Sequence, residues 1–112
     1  MTPDDVIDRA FQPQFKADSG MATYKSGCAV NAVCGDTCVL FVKLKDNTVE
    51  DARHSSDGCT ICCASADLLC EKMIGKPVDF KINLFAELGI PIGINRRQCV
   101  VTPQKALVEA LK

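Results

Sequence analysis

The sequence predicts an α+β fold in which antiparallel strands pack against several helices. Residues 38–45 alternate as a half-buried strand does and lead into a two-residue turn, which indicates a hairpin. Apolar residues follow a helical period over residues 59–74, and Thr-Pro pairs typical of helix starts stand at residues 2–3 and 102–103. The sequence shows no repeat and no low-complexity tract, so we expect one domain over residues 1–112.

The first helix is predicted to begin at Thr2 and to end before Pro13. Thr2 suits the N-cap, and Pro3 suits the first helical position. The acidic pair that follows, Asp4 and Asp5, favours the positive end of the helix dipole. The apolar face of this helix consists of Val6, Ile7, Ala10 and Phe11.

The central strand is predicted over residues 38–45. One of its faces carries Cys38, Leu40, Val42 and Leu44. Asp46 and Asn47 are expected to form the hairpin turn, because both tolerate positive φ better than most residues. Residues 20–25, GMATYK, contain two β-favouring residues beside a glycine and are predicted to form a further strand.

The return strand of the hairpin is predicted over residues 48–55. Its alternation is weak, because Val49 and Ala52 fall on opposite faces of a regular strand. We therefore expect an edge strand or a largely solvated one. The only histidine, His54, lies on this strand and is expected to be exposed rather than to bind a metal.

A second helix is predicted over residues 59–74, with Gly75 as its stop and Pro77 beyond it. Its apolar stripe consists of Cys59, Cys62, Cys63, Ala66, Leu69, Cys70 and Met73. The opposite side carries Thr60, Ala64, Asp67 and Glu71. A free cysteine behaves as a small hydrophobe, so Cys70 is expected to face the core.

The last third of the chain carries mixed signals before a final helix. LFAEL at residues 84–88 could form one or two helical turns, and GIPIGIN at residues 89–95 reads as a loop. Thr102 and Pro103 predict the N-cap and first residue of the last helix. The buried stripe of that helix is predicted to contain Ala106, Leu107, Ala110 and Leu111.

The composition narrows the class of function. Lys plus Arg number 13 and Asp plus Glu 14, which leaves a net charge of −1 and nothing that steers the protein to nucleic acid or an anionic membrane. The start is acidic, unlike a secretory signal, and no run approaches the ~18 apolar residues of a membrane span. We expect a cytoplasmic protein, whose eight cysteines serve metal or sulfur chemistry rather than disulfides.

Three cysteines stand out as candidate ligands. Cys59 begins a helix, where unpaired N–H groups and the dipole favour a thiolate. Cys99 follows the two arginines of the segment RRQC, and Cys34 lies two residues before a hard oxygen ligand, Asp36. The spacings of 25 and 40 residues among these cysteines match no zinc ribbon, so three distant segments would have to converge.

Several segments together resemble the U-type iron–sulfur cluster assembly scaffolds, namely IscU and the amino-terminal domain of NifU. They are CGD at residues 34–36, EDARHSSDGC at 50–59, ASADLL at 64–69, GK at 75–76 and RRQC at 96–99, which precedes a final helix. Their order and spacing agree with that family over almost the whole chain. The resemblance is therefore much more specific than any single motif.

The resemblance implies a fold and a site. The fold would be a small three-stranded antiparallel sheet packed against several helices, the two-layer sandwich of IscU and SufE. In that family three cysteines and an aspartate meet at one end of the sheet. Carried over, Cys34, Asp36, Cys59 and Cys99 would bind the metal or cluster, and Arg96 would be the basic residue beside it.

The implied function is a non-enzymatic scaffold. A cysteine desulfurase would deliver sulfur as a persulfide, with Cys99 as the expected acceptor, while Cys34, Asp36 and Cys59 bind iron. A labile [2Fe-2S] cluster would form and pass to apo acceptor proteins, on a monomer or on a dimer joined by the cluster. Thiolates are soft ligands suited to this cargo, and one carboxylate in place of a thiolate makes the attachment easier to break.

Two departures from the family leave an alternative open. Gln98 stands where IscU proteins carry a histidine, which resembles the SufU branch and implies a zinc-dependent sulfurtransferase accessory with zinc on the same four residues. The insertion usual in SufU between the second and third cysteines has no room here. A thiol-rich metal store is a third possibility, and it suits an ordered amphipathic core least.

The ligand that the histidine would have supplied could come from another cysteine. The candidates are Cys28, Cys38, Cys62 and Cys63. Cys62 and Cys63 are the best placed, one turn from Cys59, although packing alone would also explain them. The segment IGINR at residues 92–96 replaces the LPPVK motif with which IscU engages a dedicated Hsp70 chaperone, so we do not expect that chaperone as a partner.

Overall fold

The computed structural model describes residues 2–18, 20–31 and 35–112. In chain order its elements are α1 (Pro3–Phe11), β1 (Lys25–Asn31), β2 (Asp36–Lys45), β3 (Thr48–Asp57), α2 (Thr60–Met73), α3 (Leu84–Leu88), a 3-10 turn (Ile94–Arg96) and α4 (Arg97–Ala110). The strands form one antiparallel sheet in the order β1-β2-β3. The predicted α+β fold with a three-stranded sheet is confirmed.

The hairpin β2–β3 is built as its sequence predicts. Cys38, Leu40 and Val42 are buried on the face of β2 that meets the helices. Asp46 and Asn47 turn the chain with φ of 54° and 61°, the left-handed conformation that a tight hairpin requires. The sheet thus has one face packed into the core.

Strand β3 is an edge strand, as predicted, but it is not largely solvated. A register shift between Lys43 and Leu44 leaves one extra residue in β3, so Val49 and Ala52 both face the core. His54, expected to be exposed, is also buried. Its backbone N–H donates to the Phe15 carbonyl across 2.9 Å, which covers this edge of the sheet.

The strand predicted over residues 20–25 is wrong. Tyr24 N–H donates to the Met21 carbonyl across 3.1 Å, so this segment is a turn, and β1 begins only at Lys25. The alternation of polar and apolar residues does not identify β1, because the buried position 27 holds a glycine, which packs under α4. A methyl group at Gly27 would overlap the backbone of α4 at Ala106 and Ala110, so only glycine allows this approach.

Helix α1 begins as predicted. Thr2 is its N-cap and Pro3 its first residue, and Thr2 and Asp5 form a capping box. The short helix expected over residues 84–88 is present as α3. Among the helices of the described residues, none is long and apolar enough to cross a membrane.

Helix α2 differs from its prediction in burial. Cys70 is fully buried, as predicted, but Ala64 and Asp67 are fully buried too, although the helical period placed them on the solvent side. The reason is that α1 and α4 also pack on α2 in addition to the sheet. Helix α2 is therefore central in the fold and buries most of its circumference.

Helix α4 begins at Arg97, five residues before the predicted cap at Thr102. The Thr102 hydroxyl instead donates to the Gln98 carbonyl across 2.6 Å, and Pro103 lies inside the helix. Pro103 is the seventh residue of α4, and proline at an interior position removes one intrahelical hydrogen bond and crowds the carbonyl four residues earlier. Packing of α4 against β1 and α2 outweighs that loss, and it places Cys99 within the helix.

Candidate metal centre

The site lies where three elements begin. Asp36 is the first residue of β2, Cys59 is the N-cap of α2, and Cys99 is the third residue of α4. Their ligand atoms, one carboxylate oxygen and two sulfurs, all lie within 4.8 Å of one another. Cys59 and Cys99, which follow Asp36 by 23 and 63 residues, thus converge on it.

Asp36 is buried and joins the two cysteines. Its Oδ2 lies 3.1 Å from Cys99 Sγ and 3.6 Å from Cys59 Sγ, so both thiols can donate to this oxygen. Its Oδ1 accepts the backbone N–H of Cys59 across 3.0 Å. The carboxylate is therefore fixed between the two sulfurs before any ion binds.

Cys59 lies one residue before the helical turn in which the sequence placed it. As the N-cap of α2, its Sγ accepts the backbone N–H of Cys62 across 3.4 Å. Sulfur here replaces the oxygen that usually caps a helix. The Cys59 side chain is half-buried and borders solvent.

Cys99 is fully buried. Burial raises its pKa, and the hydrogen bond to Asp36 and the neighbouring Cys59 raise it further, so the metal-free site holds Cys99 as a thiol. The side-chain N–H of Asn31, at the end of β1, donates to Cys99 Sγ across 3.8 Å. A divalent cation would reverse this balance, because metal binding displaces the proton of a thiol.

Sequence reasoning missed Asn31, which is buried at the sheet end that holds Asp36 and Cys99. Asn31 pairs with Asp36 across the β1–β2 ladder. Its position three residues before Cys34 was a possible signal, but the boundaries of β1 were needed to use it.

The other predicted site residues are distributed differently. Cys34 lies outside the described residues. Arg96 is exposed at the end of the 3-10 turn, three residues before Cys99. Cys62 is buried and Cys63 half-buried, and neither belongs to the group of ligand atoms formed by the described residues.

Cys28 and Cys38 lie on the two faces of the sheet. Cys28 is exposed, whereas Cys38 is buried and accepts a hydrogen bond from the Ser56 hydroxyl across 3.6 Å. Burial raises the pKa of Cys38 to about 11. Within the described part of the chain, neither belongs to a group of possible metal ligands.

A model of the NifU-like N terminal domain family matches residues 1–112. The chain belongs to this family. Its relatives include the iron–sulfur cluster assembly scaffold protein IscU of Thermotoga maritima, 34% identical over 82 residues, which are 73% of this chain and 57% of that protein. The zinc-dependent sulfurtransferase SufU of Bacillus subtilis is 35% identical over 54 residues, 48% of this chain and 37% of the relative. The matches thus span little more than half of these relatives at most.

Solved structures share the fold of this NifU-like domain. A putative scaffold protein for the SUF system from Fervidobacterium islandicum AW-1 superposes with a TM-score of 0.72 at 21% identity, covering 99% of this chain and 96% of that one. The NifU-like amino-terminal protein of Brucella abortus gives 0.69 at 15% identity, covering 95% and 88%. At these identities the likeness concerns the fold alone.

The donor set of this NifU-like domain fits iron or zinc. Two sulfurs and one carboxylate oxygen converge on a point beside a buried amide, and thiolates select such soft or borderline ions over Mg²⁺ and Ca²⁺. Three donors leave a position for a further ligand. The described residues therefore suit an open metal or cluster site.

Gly58 leaves the space that the Asp36 side chain occupies. A methyl group at Gly58 would overlap the Asp36 side chain, because it would lie 2.7 Å from Asp36 Cγ and 2.8 Å from Asp36 Cβ. We expect Gly58→Ala to displace Asp36 and to weaken zinc binding by about 10–100-fold. Competition with a chromogenic chelator measures the affinity.

Gly93→Ala is the matched control, because a methyl group there meets nothing within 4 Å. Equal zinc affinity in both alanine variants would show that the Asp36–Gly58 contact has no role in positioning the carboxylate.

Proposed function

We propose that the protein is a non-enzymatic scaffold on which sulfur from a cysteine desulfurase and iron form a labile [2Fe-2S] cluster. The observation that supports this most directly is the convergence of Asp36, Cys59 and Cys99 at one end of the sheet. In this proposal Cys34 supplies the remaining thiolate. Apo iron–sulfur proteins are the acceptors of the finished cluster.

The contacts of Cys99 support its role as the sulfur acceptor. Its thiol donates to Asp36 Oδ2 across 3.1 Å, so the carboxylate is placed to take the proton when Cys99 acts as a nucleophile. The Cys99 thiolate then attacks the outer sulfur of the desulfurase persulfide, and the desulfurase cysteine leaves as a thiolate. Asn31 donates to the same Cys99 sulfur and helps to orient it.

Asp36 also accounts for the ease of release. A carboxylate is a hard ligand and holds iron less firmly than a thiolate would in the same position. The cluster would therefore be attached firmly enough to form and loosely enough to leave. Release to an acceptor is the step that a scaffold must allow.

A second candidate is a zinc-dependent sulfurtransferase accessory. It is favoured by the likeness to the SufU protein of Bacillus subtilis and by Gln98, whose amide is a poor substitute for an imidazole ligand. Zinc would occupy Cys34, Asp36, Cys59 and Cys99, and one cysteine would leave the metal to accept sulfur. The two candidates use the same residues and differ in the resident metal.

Purification without air, followed by elemental analysis and reconstitution, separates the two candidates. For the scaffold we expect little resident zinc and, after addition of iron, sulfur donor and desulfurase, a visible absorption band of a [2Fe-2S] cluster. Stoichiometric zinc with faster desulfurase turnover would instead support the accessory. If the protein retained neither metal nor cluster under these conditions, both candidates would be rejected.

A further inference from the structure

Residues 59–62 read CTIC, and their two cysteines occupy the N-cap and the third position of α2. The Cys62 N–H donates to Cys59 Sγ across 3.4 Å, which holds that sulfur over the first helical turn. Side chains three positions apart at a helix start share a face. A disulfide requires Cα atoms about 4.4–6.8 Å apart, so only residues that are close neighbours, such as those of a Cys-X-X-Cys segment at a helix start, can form one.

The two sulfurs differ in exposure in a way that divides their roles. Cys59 is half-buried and reachable from solvent, whereas Cys62 is fully buried. An accessible thiol followed three residues later by a buried one is the arrangement of Cys-X-X-Cys dithiols, in which the first attacks and the second resolves. Among the described residues, the Cys62 sulfur does not belong to the group of possible metal ligands. The backbone N–H of Cys62 donates to Cys59 Sγ.

We propose that Cys59 and Cys62 form a redox-active dithiol that reduces persulfide sulfur at this site to sulfide. The proposal rests on the proposed function, since it acts on sulfur delivered to Cys99. The Cys59 and Cys99 sulfurs lie within 4.8 Å of each other. The Cys59 thiolate attacks the outer sulfur of the Cys99 persulfide, and Cys99 leaves as a thiolate.

The second step is a thiol–disulfide exchange within the helix start. The Cys62 sulfur attacks Sγ of the Cys59 persulfide and forms a disulfide, while the bond from Cys59 Sγ to the outer sulfur breaks. The outer sulfur leaves as hydrosulfide with the proton of the Cys62 thiol. The two cysteines together lose two electrons, and the outer sulfur gains them. A dithiol reductant from outside restores both thiols.

The step supplies what cluster assembly needs. Persulfide sulfur is more oxidised than the sulfide of a cluster, so every sulfur delivered requires two electrons. The Cys59–Cys62 dithiol would provide both electrons at the metal site, because one of its two thiols is itself a proposed ligand. The resulting disulfide ties up Cys59 until it is reduced, so sulfide release precedes metal binding by that residue.

The test uses the full chain, reduced, freed of metal and kept without air. It is given one equivalent of cysteine persulfide and no other reductant, and released sulfide and protein disulfides are measured by trapping and mass spectrometry. The wild type is expected to release about one sulfide per chain and to gain a Cys59–Cys62 disulfide. Cys62→Ala is expected to keep the sulfur and to release it at least about tenfold more slowly.

Cys63→Ala is the matched control, since Cys63 is adjacent in the helix and is expected to leave release unchanged. Sulfide release by Cys62→Ala at the wild-type rate would overturn the proposal. So would a wild type that forms no Cys59–Cys62 disulfide in buffers of increasingly oxidised glutathione, a measurement that needs no variant to fold. This assay contains neither metal nor desulfurase, so its outcome does not depend on cluster assembly. A failure of the scaffold proposal would appear in the reconstitution experiment instead, and the two failures can therefore be told apart.

Discussion

Replacing Asp67 with alanine is expected to lower the free energy of unfolding by about 3–5 kcal/mol, because it leaves the half-buried Arg9 with only the exposed Glu71 as a partner and two backbone N–H groups without an acceptor. Asp67 is fully buried on α2, and its Oδ2 accepts Arg9 Nε across 2.8 Å. The same carboxylate accepts the backbone N–H groups of Gln14 and Phe15 at 3.2 and 2.8 Å. His54 Nε2 lies 3.0 Å from its Oδ1. Urea denaturation monitored by circular dichroism measures the change.

Two variants sharpen this test. Asp67→Asn keeps the shape and one acceptor oxygen, so its loss of stability should be smaller than that of Asp67→Ala. Asp79→Ala removes an exposed carboxylate and should change stability by no more than about 0.5 kcal/mol. Equal stability of Asp67→Ala and Asp79→Ala would show that the buried carboxylate does not hold the segment before β1 to α2.

The effect of Asp67 has a defined pH dependence. Burial alone would raise its pKa, but the hydrogen bonds from His54, Phe15 and Gln14 and the charge of Arg9 outweigh burial and lower the pKa. A carboxyl with a lowered folded-state pKa stabilises the fold above its ordinary value of 3.8. That stabilisation is lost as the pH falls through the lowered pKa, so the difference between wild type and Asp67→Ala should shrink in strong acid.

The second large effect is expected from Cys59→Ser, which should weaken zinc binding by more than about 100-fold. Serine supplies a hard hydroxyl in place of a soft thiolate and therefore binds zinc or iron poorly. It remains a good N-cap residue, so α2 and the stability of the fold should be retained. Chelator competition gives the affinity, and urea denaturation of the metal-free protein checks the fold.

Cys28→Ser is the control for this substitution, because Cys28 is exposed on β1 and belongs to no group of possible ligands among the described residues. Its zinc affinity should equal that of the wild type. Full zinc affinity in Cys59→Ser would remove Cys59 from the ligand set and with it the basis of the proposed site.

The parts of the fold that were predictable are those specified by local chemistry. The turn at Asp46 and Asn47 needs only two residues that tolerate positive φ, and the cap at Thr2 needs only its neighbours. Strand β1 was missed because its burial depends on the approach of α4 to Gly27, a contact between distant parts of the chain. Local patterns contain no record of such a contact.

The same limit applies to the polar interior. His54 and Asp67 were assigned to solvent by periodicity, and their burial depends on Arg9 and on the backbone of residues 14–15. The bulge in β3 also made the alternation of this strand irregular, so the sequence did not show that Val49 and Ala52 face the same side. The errors at His54 and Asp67 concern residues whose partners, such as Phe15 and Arg9, lie far away in sequence.

The candidate site was located through its family resemblance rather than through spacing. The structure brings Asp36, Cys59 and Cys99 together, and the spacing of the cysteines alone matched no known ligand pattern. Asn31 and the contact between Gly58 and Asp36 required coordinates, since both depend on how β1 and β2 meet the start of α2.

The sulfur cap of α2 would couple metal binding to the stability of the helix start. The Cys59 sulfur that would bind the ion also accepts the Cys62 amide, so one atom serves both the helix start and the metal. An ion that binds only the folded arrangement stabilises it by mass action. In the proposed scaffold, release of the bound metal or cluster would therefore loosen the first turn of α2. The hydrogen-exchange rate of the Cys62 amide would report whether the site is occupied.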